Sequence, residues 1–369
     1  MEGMIKMDIN KLRTYEAISI IVSVMISHII LNIPNHILTL TGSSSILNIL
    51  YIICITCIFF FIISKIFKSF PNLDIIDICE FLGGKFLKTV YSIFFIIYVS
   101  TITGLIIRII SNSLSLIYLS NLKLEIIILT FILAAAILNF FGFKTITRIT
   151  LIFIPFILIS MVIIFFTSAG DYVVERALPI LGYGLKETFM YGTSNLFAFS
   201  SIIILFLLNP YIDSNKYRKI GYISILTYSI YLIISVISLL FFIPSISEMN
   251  TILSVYVLAR KISLGTFIQR IDALFILVWS VSIFSYSAIT LYFSTKVFQK
   301  LTNIKHSASL ICPMSLIIFA ISIIPKNIAE VSFFENTLYR YSSLIMVFGI
   351  SFFILVLAYI KKKIKETKT

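Results

Sequence analysis

The side chains able to do chemistry are few, and most stand inside long apolar stretches. Between Ser19 and Leu40, Ser19, Ser23 and Ser27 recur at steps of four and share one helix face, with His28 and Asn32 following. Pro34 comes two residues later. Proline removes a backbone donor and clashes with the carbonyl four residues back, so a helix should kink or open there. In a third apolar stretch, Tyr98, Thr101 and Arg108 lie on one face with Leu105 between them. Farther on, Tyr191–Ser201 reads YGTSNLFAFSS, and its Gly192, Thr193, Ser194 and Asn195 are poor helix formers in succession. Ser282, Tyr286 and Thr290 again step by four, with Ser285 adjoining. Hydroxyls, amides and an imidazole beside opened backbone can hold a small ligand by hydrogen bonds. Ser282 and Ser285, with freed carbonyls, could also surround a cation. The competing reading is packing, since serines at such steps also make a small-residue seam between helices.

Other chemistries find less support. His28, His36 and His306 have no metal-ligand spacing among them. Cys54 and Cys57 form a CxxC inside an apolar span, where small core residues are the expected reading. No Ser/His/Asp set, phosphate loop or paired intramembrane carboxylates occur at workable spacing, so neither an enzyme nor a cofactor or metal site is expected. The near absence of acids within the spans weighs against a proton pump. A charge at the bilayer centre costs about 2.5–3.5 kcal/mol, so Arg108 should snorkel or find a buried acceptor. Trp279 lies deep in its span and should face protein, while Asp272 suits a helix N-terminus.

The elements that position these residues are membrane spans. Of 369 residues, 59% are hydrophobic and 12% charged, against about 45–50% and about 25% for a soluble domain. Each apolar stretch of roughly 20 residues can cross a hydrocarbon core of about 30 Å. The first is too long for a cleavable signal and should remain as a span. About ten spans are expected, near Thr14–Thr39, Ser45–Phe67, Phe86–Tyr118, Leu124–Phe141, Ile146–Thr167, Thr188–Leu208, Ile220–Ile243, Arg270–Lys296, Ala308–Ile324 and Tyr339–Ile360. With the N-terminus inside, the cytoplasmic loops and tail hold about 20 Lys and Arg and the opposite face about 8. Both termini should therefore be cytoplasmic. The net charge of +13 reflects this asymmetry and the basic tail 361–369, not a nucleic-acid partner. Phe70–Lys85 reads as a short amphipathic surface helix stopped by Gly83-Gly84, with Ile75, Ile78, Phe81 and Leu82 opposite Asp74, Asp77 and Glu80. Ile252 to Phe267 reads as a second surface helix.

Breaks in spans one and six, five spans apart, match the inverted-repeat logic of one class of transporter. The chain then reads as a single all-α, LeuT-like permease domain over 1–369, with a first repeat about 14–167 and a second about 188–360. It resembles the spore-germination permease family, the B subunits of nutrient germinant receptors within the amino acid/polyamine/organocation superfamily. Carrying the resemblance are ISIIVSVMISHIILNIP (Ile18–Pro34), FPNLDIIDICEFLGGK, and Tyr98 with Arg108 ten residues on. GFKTITRITLIFIP (Gly142–Pro155), LPILGYG (Leu178–Gly184) and QRIDALFILVW (Gln269–Trp279) continue it.

The resemblance implies a membrane protein of the cell or spore inner membrane that binds a small nutrient, typically an amino acid. It also implies a complex with a larger A subunit and a C-subunit lipoprotein. Carried over by position, ligand contacts would come from Ser27, His28, Ile29 and Ile30, from Tyr98, from Phe199 and Ser200, and from Tyr286 and Thr290. The polar stripes add Asn32, Thr101 and Asn195. Where the family carries Gly-x-Gly at the first break, this chain has Ser27-His28-Ile29. The alternative expectation is an ion-coupled amino acid transporter with Ser282 and Ser285 at the cation.

Overall fold

A computed structural model describes residues 11–242 and 271–367. Every regular element among them is helical. Helix one runs as α1 (Thr14–Leu31) and α2 (Ile33–Thr41), then come α3 (Ser45–Ser69), α4 (Ile75–Ile117), α5 (Leu124–Phe140) and α6 (Phe143–Thr167). After a loop that folds back on residues 42–44, α7 (Lys186–Tyr211) and α8 (Ser214–Phe242) follow. The chain ends with α9 (Ile271–Thr302), α10 (Ala308–Ile323) and α11 (Ala329–Glu366). Seven helices among the described residues are long and apolar enough to cross a membrane, and Thr14–Ile29, Leu124–Phe140 and Ala308–Ile323 are shorter apolar helices. Large side chains such as Phe94, Ile97, Phe156, Leu316 and Phe353 point outward and leave the perimeter apolar. A perimeter of that kind suits lipid rather than water.

α1 is central, packing on α6, α8 and α9, while α9 packs on α4, α5 and α6. Its interruption falls at Asn32 (φ −158°, ψ 1°), two residues before the proline. The steric demand of Pro34 acts on the preceding turn, and Asn32 is where the chain yields. α7 is irregular over most of its length: a π turn at Lys186–Met190, a 3₁₀ stretch at Tyr191–Ile202, then α-helix at Ile203–Leu208. Runs of 3₁₀ helix beyond about four residues are uncommon, so this one needs support from outside. Neighbouring α3 supplies some of it. Asn48 donates to the Thr188 carbonyl at 2.7 Å and accepts from Asn195 Nδ2 at 2.8 Å. At Gly192 a Cβ would collide with the Asn48 amide, so only glycine permits this approach.

The expected amphipathic helix forms the start of α4. Asp74 caps it, accepting from the Ile76 and Asp77 amides at 3.0 Å each, and Gly83 with Gly84 (φ 67°) breaks it from the long span. Lys300, near the end of α9, donates to Asp74 at 2.6 Å and Asp77 at 2.7 Å. Lys361 on α11 donates to the Phe81 and Leu82 carbonyls at 3.1 and 2.7 Å. The surface helix is thus tied to two spans at once.

Several expectations need correction. Helix eleven starts well before Tyr339, because Asn327 accepts from the Glu330 amide as an N-cap and the helix runs on through the polar residues. Glu335 is therefore a buried acid within a membrane-length helix, where acids were expected to be almost absent. Cys54 is exposed on the perimeter rather than in the core. Arg108 follows one of its two expected courses, turning inward to a buried acceptor, the Ser322 carbonyl, at 3.4 Å. Trp279 is fully buried as expected. The Ile252 to Phe267 segment and the Asp272 side chain lie outside the described residues.

Candidate functional site

Four helices turn polar side chains toward one small cavity. Val24 and His28 come from α1, Tyr98 and Ile102 from α4, Ser200 and Ser201 from α7, Tyr286 and Thr290 from α9. The stripes position three of these walls, because residues four apart on a helix face the same neighbour. On α7 the lining residues are Ser200 and Ser201 with Ile203 and Ile204, two pairs three apart. That is the spacing at which the 3₁₀ turn there aligns side chains.

A fifth helix closes the arrangement. Tyr339 on α11 shares a hydrogen bond with His28 Nδ1 at 2.8 Å and stacks on its ring, 5.6 Å between centroids. The same hydroxyl lies 3.4 Å from Ser200 Oγ. One turn on, Ser343 Oγ accepts from the Tyr98 hydroxyl at 3.1 Å. Tyr286 presents its edge to His28 at 5.2 Å, the two rings perpendicular. The rings are buried, so their polar atoms had to find partners; these pairs supply them for His28, Tyr98 and Tyr339, and Thr103 partners the Tyr286 hydroxyl. The void left between them has room for about one water molecule. The His28, Tyr98, Tyr286 and Tyr339 rings fill most of the space between the helices, and widening it requires Tyr339 or His28 to move.

A second cavity of similar size lies beyond the His28 ring. His28 and Ile102 line both, and the second adds Leu105, Ile106, Ile109, Glu335 and Tyr339. The His28–Tyr339 pair is the partition between them.

Not every residue expected in the site reaches it. His28, Tyr98, Ser200, Tyr286 and Thr290 line the first cavity. Ser27 does not; its hydroxyl donates to the Ser23 carbonyl at 2.8 Å and meets Ser282 Oγ at 2.9 Å, joining α1 to α9. Ser285 is buried on the same helix with no partner for its hydroxyl. Ile29 is core, and the Ile30 side chain lies outside the described residues. Asn32 faces Glu335, its Nδ2 donating at 3.4 Å. Thr101 is half-buried and outside the lining, one residue short of Ile102. Asn195 is taken up by Asn48, and Phe199 packs edge-on against Tyr228 at 5.1 Å.

Sequence reasoning missed Glu335, Tyr339 and Ser343. They recur at steps of four, the same signal that marked the other walls, and Ser351 extends the face to a 2.7 Å contact with Tyr91. Starting the last span at Tyr339 had placed Glu335 in a loop.

An apolar-rimmed helical bundle with an interrupted first helix, an irregular sixth and a closed polar centre is a transporter-like architecture. Solved structures agree: a Na⁺-coupled sialic acid symporter in its substrate-bound outward-open state superposes with a TM-score of 0.68, covering 95% of this chain and 88% of that one. At 12% identity that likeness shows the fold alone. The family is shown by sequence, for the spore germination protein family matches residues 11–331, and the chain belongs to it. Among relatives, spore germination protein B2 of Bacillus subtilis (strain 168) is 25% identical over 295 residues, 77% of either chain. Spore germination protein A2 of the same organism is 23% identical over 282 residues, 74% of this chain and 76% of that one. The chain is a multi-pass membrane protein of this family.

Proposed function

We propose that this chain is the membrane subunit of a spore nutrient-germinant receptor, binding a small nutrient, an amino acid, in the cavity bounded by α1, α4, α7 and α9. The single observation that carries the reading is the convergence of His28, Tyr98, Ser200 and Tyr286 beside an interrupted helix, closed by Tyr339. Ligand would replace the His28–Tyr339 and Tyr98–Ser343 hydrogen bonds with its own. It would thereby favour an arrangement in which α11 stands away from α1, and only its differential affinity for that state can drive the change. A- and C-subunit partners in the spore inner membrane would read the shift, with both termini cytoplasmic. Ten spans in two inverted five-span repeats fit the placement of the two irregular helices.

Spores carrying Tyr98→Ala or Tyr286→Ala as the sole copy test this. Loss of nutrient-triggered germination with normal protein abundance is expected. Unchanged germination in both would reject the site.

A second reading, ion-coupled amino acid transport, draws on the symporter-like fold, on Ser282 beside α1 and on the buried Ser285 three residues on. Radiolabelled uptake in proteoliposomes separates the two: gradient-dependent, saturable accumulation belongs to transport.

A further inference from the structure

Glu335 stands one turn before Tyr339 on α11 and is 6% exposed. Its carboxylate is poorly served. Asn32 Nδ2 donates to Oε2 at 3.4 Å, and His36 Nε2 stands 3.4 Å from Oε1. Charge-assisted contacts ordinarily close to about 2.7–2.9 Å, so a structural ion pair with His36 would have shut this gap. No lysine or arginine pairs with Glu335 among the described residues. Arg340, five residues on, acts on Glu335 through its charge at a distance and makes no direct ion pair with it, its guanidinium lying 5.2 Å over the Phe197 ring.

Around it stand a spare acceptor and the His36 Nε2, which has no hydrogen-bond partner. Asn32, 6% exposed, has no partner for its Oδ1. The carboxylate opens into the second cavity, whose other walls are largely aliphatic: Leu105, Ile106 and Ile109. A buried carboxylate and a spare amide oxygen beside an apolar sleeve match a group with several N–H donors on a short apolar stem. An inorganic cation would demand more oxygen ligands than this sleeve has.

We infer that Glu335 and Asn32 form a docking site for a primary ammonium group, on the far side of the His28–Tyr339 partition from the first cavity. The inference deepens the nutrient reading by assigning the ligand's amine a place, yet it is testable without a nutrient.

The probe is methylammonium chloride on the purified full-length protein, read as the thermal unfolding midpoint. Tetramethylammonium chloride at equal ionic strength, which has no N–H to donate, is the reference, and NaCl is run in parallel. A ligand that binds only the folded state raises the midpoint as its concentration exceeds Kd. Methylammonium should raise the wild-type midpoint by a few degrees over the reference, the shift should vanish in Glu335→Gln, and Glu335→Asp should keep part of it. In the reference salt, Glu335→Gln should melt no lower than wild type, because a neutral amide of the same shape needs no cation.

Equal methylammonium shifts in wild type and Glu335→Gln, or no shift in wild type, would overturn the inference. So would a Glu335→Gln protein that melts well below wild type or fails to fold, which would mark a structural pair with His36. A NaCl shift equal to that of methylammonium would assign the site to inorganic cations and overturn it as well. Failure of amino acids to bind the first cavity leaves these outcomes untouched, so the two readings fail separately.

Discussion

The Tyr339 hydroxyl carries more of the account than any other single group. It is the shared partner of His28 and Ser200, and no other described contact joins α11 to α1 at that depth as closely. Tyr339→Phe keeps the ring and its stacking but strips the hydrogen bond from a fully enclosed imidazole. Leaving a buried polar atom unsatisfied costs about 1–3 kcal/mol, so thermal unfolding of the purified variant should show a lower midpoint. The same change weakens the closed state, so any ligand that needs the partition open should bind Tyr339→Phe more tightly, not less. A binding isotherm checks the sign. At this scale the sequence was informative wherever α-helical spacing held. Tyr98, Tyr286 and Thr290 were found on stripes and line the cavity with His28, whereas the Ser19–Ser23–Ser27 stripe beside His28 turns Ser27 to Ser282 on α9. Asn195 and Phe199 were not brought there, because Asn195 is held by Asn48 on α3 and Phe199 packs against Tyr228 on α8. Thr101 shares a stripe with Tyr98 only approximately, and the small offset leaves it outside the lining.

Between elements, the breaks are the controlling features. The interruption at Asn32 was legible from Pro34, and the irregular α7 from its run of poor helix formers. What supports them was not legible, since the Asn48–Asn195 pair joins residues 147 apart in sequence. Gly192→Ala would push that amide aside and deprive the 3₁₀ stretch of its neighbour. We expect a clear loss of folded protein on expression, measured by size-exclusion yield, whereas Gly170→Ala, with open space around its Cβ position, should have little effect. The surface helix is a second such case. Lys300→Met leaves Asp74 and Asp77 facing each other without their cation. A fully buried pair broken on one side loses about 3–5 kcal/mol, but the Lys300 side chain is 35% exposed, so about 1–2 kcal/mol is the expected loss. Added salt should narrow the difference between variant and wild type in thermal unfolding.

For the molecule as a whole, composition and hydropathy specified a membrane bundle, and the described helices have the length and apolar perimeter for it. The last helix was the misjudged part. Its first four turns carry a polar inner face at Glu335, Tyr339 and Ser343, and such a face looks like a loop when hydropathy is averaged. That helix supplies both the lid of the first cavity and the carboxylate of the second. In this arrangement both cavities are closed.

The central claim is that nutrient binds among α1, α4, α7 and α9 behind the His28–Tyr339 partition. The most direct test is saturable binding of the twenty proteinogenic L-amino acids, radiolabelled, to the purified full-length protein in lipid nanodiscs. The account predicts at least one ligand whose affinity falls tenfold or more in folded Tyr98→Ala and Tyr286→Ala proteins. A wild-type ligand that binds both variants undiminished, or no binding by wild type to any of the twenty, would contradict it.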